Sequence, residues 1–149
     1  MSCRTPALLA LALLAGAPAF AAENTPVGTW TTIDDATGKP KSIVQITETD
    51  GKLEGKVIEV LQSDQGPHPI CKACDGERKD KPVEGMVILW DVQKDGDVWD
   101  GGRILDPKNG KTYKVKLSML ENGQKLDVHG YIGFSWLGRS QVWERKAAQ

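Results

Sequence analysis

The sequence predicts an all-β protein, eight short antiparallel strands closed into an up-and-down barrel. Three observations predict it. Tyr113, Val115, Leu117 and Met119 alternate with Thr112, Lys114, Lys116 and Ser118, the period of a strand with one buried and one wet face. Turn signals recur between the apolar runs, Asp50-Gly51, Asn109-Gly110 and Asn122-Gly123 among them, and these pairs accept the positive φ of tight hairpins. No ten-residue window sustains the apolar spacing of a helix. A sheet of this size must lose its two edges, and closure removes both; a two-sheet sandwich is the alternative.

The chain begins with an address label. Arg4 supplies a positive start, Ala7 to Ala15 is an apolar run too short to span a bilayer, and Ala19-Phe20-Ala21 fits a small-x-small cleavage site. The expectation is a signal peptide at 1–21, a single domain at 22–149 and a periplasmic or secreted protein. An uncleaved anchor is the competing reading. Cys3 precedes the apolar run, so it is not a lipoprotein cysteine and leaves with the signal. Nothing later resembles a transmembrane helix.

Strands are expected at Val27 to Ile33, Ser42 to Thr47, Lys52 to Leu61, Met86 to Val92, Val98 to Leu105, Lys111 to Met119, Lys125 to Tyr131 and Arg139 to Arg145. Two of them break the simple pattern. In the fifth, Trp99 and Ile104 are an odd number apart, so they share a face only if a bulge intervenes at Gly101-Gly102. The fourth, Met86-Val87-Ile88-Leu89-Trp90, is apolar without alternation, which implies cover on both faces. The preceding irregular segment, 62–82, is the expected cover.

Charge excludes some partners. The chain has 19 basic and 20 acidic residues; loss of Arg4 with the signal leaves a formal charge of −2. Both signs are interspersed, which gives no footprint for nucleic acid or an anionic membrane.

The sharpest local motif is His68-Pro69-Ile70-Cys71-Lys72-Ala73-Cys74-Asp75. Three chemistries are open to the Cys71 and Cys74 pair. A disulfide suits an oxidising compartment. A redox-active pair would want a helix N-terminus behind it, and none is expected here. A metal site would use His68 and Asp75 beside two thiolates, but a second Cys or His pair is lacking. His129 shares a strand face with Asp127, a pairing that can orient a general base, yet no nucleophile stands out and a solvent-facing strand explains both. Asp97, Asp100, Asp34 and Asp35 sit at turns, where Asp is favoured for backbone reasons. No catalytic residue, cofactor or metal is assigned.

The five tryptophans, Trp30, Trp90, Trp99, Trp136 and Trp143, all lie on expected strands or beside one. They either line a hydrophobic pocket or fill a lumen only just wide enough for side chains. As ligand-binding residues the candidates are Trp30, Trp90, Trp99 and Tyr113.

Gly28-Thr29-Trp30 resembles the Gly-x-Trp opening of lipocalins, where the Trp closes one barrel end under a basic residue of the last strand. The resemblance implies Trp30 with Arg139 or Arg145 as the closing contact, through a cation–π interaction. Longer blocks resemble the domain-of-unknown-function 2147 family of small exported bacterial proteins. They are GTW at Gly28 to Trp30, DGKLEGKV at Asp50 to Val57, CKACDGERKDKPVEGMVIL at Cys71 to Leu89, WDGGRILDPKNGKTYK at Trp99 to Lys114 and GYIGFSWLGRSQVWER at Gly130 to Arg145. That resemblance implies a lipocalin-like barrel and no established activity. The functional expectation is an exported binding module for a small hydrophobic or amphipathic molecule. The alternative is a periplasmic protein-interaction or envelope-stress module with a filled core, its partner unknown. An enzyme, including a thiol oxidoreductase, is the third class.

Overall fold

The computed structural model describes residues 24–147; the expected signal peptide at 1–21 lies outside them. The strands are β1 (Gly28–Ile33), β2 (Pro40–Thr49), β3 (Lys52–Val60), β4 (Val87–Asp95), β5 (Val98–Asp106), β6 (Lys111–Leu120), β7 (Lys125–Tyr131) and β8 (Arg139–Arg145). Each pairs antiparallel with the next, and β8 returns to β1 with Trp30 opposite Arg145. The sheet is a closed barrel, not a sandwich.

Period-2 patterning directs the core inward. In β3, Leu53, Gly55 and Val57 are buried while Lys52, Glu54 and Lys56 are exposed. Charge outside and apolar residues inside is the reverse of a barrel that spans a bilayer. The turns divide the barrel into two ends. Short connections at 50–51, 96–97 and 121–124 lie at one, the narrow end. The segments 34–39, 61–86, 107–110 and 132–138 lie at the other, the wide end.

Register shifts in β5 and β4 adjust the parity. At the glycine pair of β5 the register jumps from Trp99↔Leu117 to Gly102↔Val115, with Gly101 at φ 82°. A Cβ on Gly102 would stand 2.7 Å from the Val92 backbone nitrogen, so only glycine lets β4 and β5 approach this closely. In β4 the register against β3 shifts on either side of the Gly55↔Leu89 pair, and the adjacent Ile88 and Leu89 are both buried. The unbroken apolar run of β4 therefore reflects a bulge as well as cover from outside.

The cover is an ordered flap. Cys71 donates its N–H to Lys81 O at 2.8 Å, Asp80 N–H returns to Cys71 O at 3.0 Å, and Val83 N–H reaches Pro69 O at 3.0 Å. Cys71 and Cys74 join the same core cluster as Met86, Ile88 and Leu105. The flap is seated on the β5–β6 turn, where Cys71 Sγ lies 3.3 Å from Pro107 O. That turn is held by its own side chains: Asp106 Oδ1 accepts Lys108 N–H at 2.9 Å and Asn109 Oδ1 accepts Lys111 N–H at 2.8 Å. Asp106 thus serves the backbone. Asp34 does likewise at the β1–β2 turn, where the Thr37 N–H above all, with the Thr37 hydroxyl and Ala36 N–H, holds its carboxyl below the usual range.

Candidate functional site

The lumen divides into a filled half and a half-open half. At the narrow end Trp30 is fully buried, and its indole N–H donates to Pro26 O at 2.8 Å. The Arg145 guanidinium lies 4.3 Å from its ring centroid. The same group donates to Thr25 O and Gly123 O, each at 2.6 Å, and to Val27 O at 3.0 Å. It so ties the N-terminal segment, the β6–β7 turn and Trp30 together. Lys94 stands 5.6 Å over the Trp99 ring in the same manner.

Above these rings the barrel is packed solid. Trp30, Trp99 and Trp143 are at most 6% exposed, and Val44, Leu89, Val92, Val115, Leu117 and Leu126 are at 0%. A side chain that no water can touch has no water-sized space beside it. Trp30 and Trp99 therefore fill the lumen and leave no room beside them for a ligand.

The wide end differs. Val60, Ile104, Tyr113, Gly130 and Gln141 are only half-buried. A Cβ on Gly130 would meet Tyr113 and Ile104 at 3.7–3.9 Å, ordinary contact, so these three positions share one wall. The Tyr113 hydroxyl accepts an N–H from the Asn109 amide at 3.0 Å, a polar tip above an apolar ring. Of the four residues expected to line a ligand site, only Tyr113 lies at this mouth.

Trp90 requires a correction. It stands opposite Arg103, outward of the inward pair Leu89 and Ile104, and Arg78 of the flap covers its ring at 4.6 Å. It is half-buried outside the barrel, clamping the flap to β4. Arg139 is corrected too. It is at the wide end, 72% exposed and 3.3 Å from Asp35, so it takes no part in closing the barrel over Trp30.

On the outer face, β4 and β5 part between Trp90↔Arg103 and Gln93↔Asp100. A cleft of about 600 Å³ opens there, lined by Asp100, Arg103, Lys114 and Tyr131 among others. The Tyr131 hydroxyl donates to Asp100 at 3.3 Å. Burial first, then the Asp100 carboxylate, push the Tyr131 phenol above its ordinary value, while Arg103 pulls it back. Arg103 and Lys114 form no ion pair among the described residues.

Cys71 and Cys74 are joined in a disulfide, and both are buried, at 0% and 1%. The bond consumes the two thiolates a metal would need. Burial also shields the sulfurs from the in-line attack that exchange requires. The native protein should keep the bond in mild reductant, as thiol titration would read. Cys71→Ser/Cys74→Ser should lower the unfolding free energy by about 2 kcal/mol, the chain-entropy value for so short a loop, measured by urea unfolding. Ready reduction of the folded protein would contradict this.

His129 meets partners that the sequence did not suggest. Its Nε2 lies 2.7 Å from Ser135 O and its Nδ1 lies 2.9 Å from Ser140 Oγ. A carbonyl only accepts, so Nε2 carries the hydrogen. A serine on one imidazole nitrogen has the outline of a nucleophile and its base. Here the second partner is a carbonyl rather than a carboxylate, so the imidazolium formed in catalysis would gain no counter-ion. What the arrangement does is pin the β7–β8 loop: Ser135 lies at its centre and Ser140 at its return.

The comparisons with known proteins agree with this architecture. A family model described as "Uncharacterized protein conserved in bacteria (DUF2147)" matches residues 28–145. No curated protein matches the chain. A solved structure, described as "Protein HP1028 from the human pathogen Helicobacter pylori belongs to the lipocalin family", is similar at 24% identity with a TM-score of 0.69; the match covers 81% of this chain and 82% of that one. That likeness is one of fold, a lipocalin-like barrel.

Proposed function

Since the chain belongs to the bacterial DUF2147 family and folds as a lipocalin-like barrel, we propose that it is exported and binds a small amphipathic molecule at the wide end of its barrel. The observation that carries the reading is the contrast between the two ends. The narrow half is closed to water by three tryptophans, whereas Val60, Ile104 and Tyr113 leave apolar surface half-open at the mouth. Such a recess suits a short apolar group below and a polar head at the rim, where Gln141 and the Tyr113 hydroxyl offer hydrogen bonds. A long chain buried deep in the lumen would have to displace the tryptophans.

The test uses 1-anilinonaphthalene-8-sulfonate as a fluorescent amphiphile. It should bind saturably and with a single stoichiometry. Gly130→Leu places a side chain in the recess beside Ile104 and Tyr113, and should weaken binding about tenfold or more. Gly130→Ala, with its new contacts at 3.7–3.9 Å, should bind as wild type. Unchanged affinity in a folded Gly130→Leu protein would refute the site. Native mass spectrometry of the purified protein would show whether a molecule is carried from the cell.

The filled core also supports a second reading, recognition by the outer surface, in which a periplasmic protein partner would meet the face around the Asp100 cleft. Pull-down with wild type and Arg103→Glu would separate the two.

A further inference from the structure

The β7–β8 loop, Ile132-Gly133-Phe134-Ser135-Trp136-Leu137-Gly138, turns its apolar side chains out to water. Ile132 is 66% exposed, Phe134 66%, Trp136 76% and Leu137 49%. A contiguous apolar patch of this kind on one short loop is often a functional surface. Nor is the loop unformed. Phe134 and Trp136 stack at 5.8 Å between centroids, Leu137 N–H donates to Phe134 O at 3.0 Å, and His129 holds Ser135 O. Gly138 is pressed against Gly130 O and the Tyr131 side chain.

Charge lies beside it. Tyr131, the residue before Ile132, stands directly opposite Lys114, and Lys114 directly opposite Arg103. Neighbouring strands are about 5 Å apart, so the two cations form a short row running from the base of the loop around the outer wall. The chain-wide balance of charge did not point to an anionic surface; the sheet register brings these two lysine and arginine side chains together.

We propose that this loop docks the protein on an anionic lipid bilayer, with Phe134, Trp136 and Leu137 entering the interface and Arg103 and Lys114 facing the headgroups. Three features favour a bilayer over a protein partner. Every residue of the loop from 132 to 138 is exposed, and a bilayer needs no matching pocket to receive it. Its apolar tips are of the aromatic and aliphatic types that settle at the headgroup boundary, with cations alongside. Its exposed apolar area is roughly 500 Å², judged from the size of such side chains, below the ~800 Å² per partner of a standard protein interface. The inference stands apart from the ligand reading, because the loop and the recess are probed by different variants.

The test is co-sedimentation of the whole protein with phosphatidylcholine vesicles, with and without phosphatidylglycerol, read beside tryptophan fluorescence. Trp136 is the most exposed of the five tryptophans, so a blue shift on binding reports the loop. Phe134→Ser/Trp136→Ser should bind the anionic vesicles more than about tenfold more weakly. Arg103→Gln and Lys114→Gln should each lower the preference for anionic over neutral vesicles by up to about fivefold. All of these positions are on the surface, and near-UV circular dichroism checks the fold. Wild type that ignores both vesicle types overturns the proposal, as does unchanged binding by Phe134→Ser/Trp136→Ser. A concentration-dependent dimer abolished by that same variant also overturns it, by making a second copy the occupant.

Discussion

Replacing Trp30 by alanine should cost about 3–5 kcal/mol of unfolding free energy, the range for removing a large aromatic side chain from a packed core. The indole is fully buried, donates to Pro26 O, and carries the Arg145 guanidinium on its face. Its loss empties a space the neighbours cannot close, because every strand around it is fixed in the barrel's register. It also removes the surface against which Arg145 is stacked. A domain of this size commonly has about 5–15 kcal/mol in all, so the variant should melt far below wild type in thermal or urea unfolding. Arg145→Lys should cost less, about 1–3 kcal/mol, because an ammonium cannot reach the carbonyls of Thr25, Val27 and Gly123 from one planar group. A Trp30→Ala protein within about 0.5 kcal/mol of wild type, the ordinary range of a surface change, would show that the narrow end does not hold the barrel shut.

Gly110→Ala is the second large effect. Gly110 has φ 70°, and a Cβ there would overlap Ala73 O and stand 2.9 Å from the Cys74 nitrogen. The substitution therefore strains the β5–β6 turn and lifts the disulfide flap off its seat. Gly51 is the control. Its φ is 76° and nothing lies within 4 Å of its Cβ position. Gly51→Ala should show only the conformational cost, about 1–2 kcal/mol. Gly110→Ala should cost clearly more, about 3 kcal/mol or above, and should expose 61–86 to proteolysis at temperatures where wild type resists. Equal costs at the two glycines would mean that the flap does not rest on this turn.

Both experiments probe contacts of different legibility. The eight strands and their turns could be read directly, since a period of two and pairs such as Asp50-Gly51 are local properties of the backbone. The bulge at Gly101-Gly102 was legible for the same reason: Trp99 and Ile104 fall out of step within a single strand. The Cys71–Cys74 bond was one of three chemistries open to the pair, the one an oxidising compartment would suit, and the folded flap decides it. The filled narrow half was visible only as one of two fates for the tryptophans. Residue size and type do not say whether a lumen is occupied by side chains or left for a ligand.

What the sequence by itself determined is the all-β class, the succession of strands along the chain and the residues that turn its corners, because each depends on neighbours a few positions away. Tertiary structure alone decided the rest. Arg139 and Arg145 are an even number apart on one strand, so they share a face, and only the pairing of β8 with β1 sets Arg145 rather than Arg139 over Trp30. Trp90 sits in an apolar run with no alternation, and the β4 irregularities beside it decide that it faces outward under Arg78. Arg103, Lys114 and Tyr131 come from three strands, and register makes them one row. Closure and register join residues far apart in the chain, and no local pattern encodes which of them will meet.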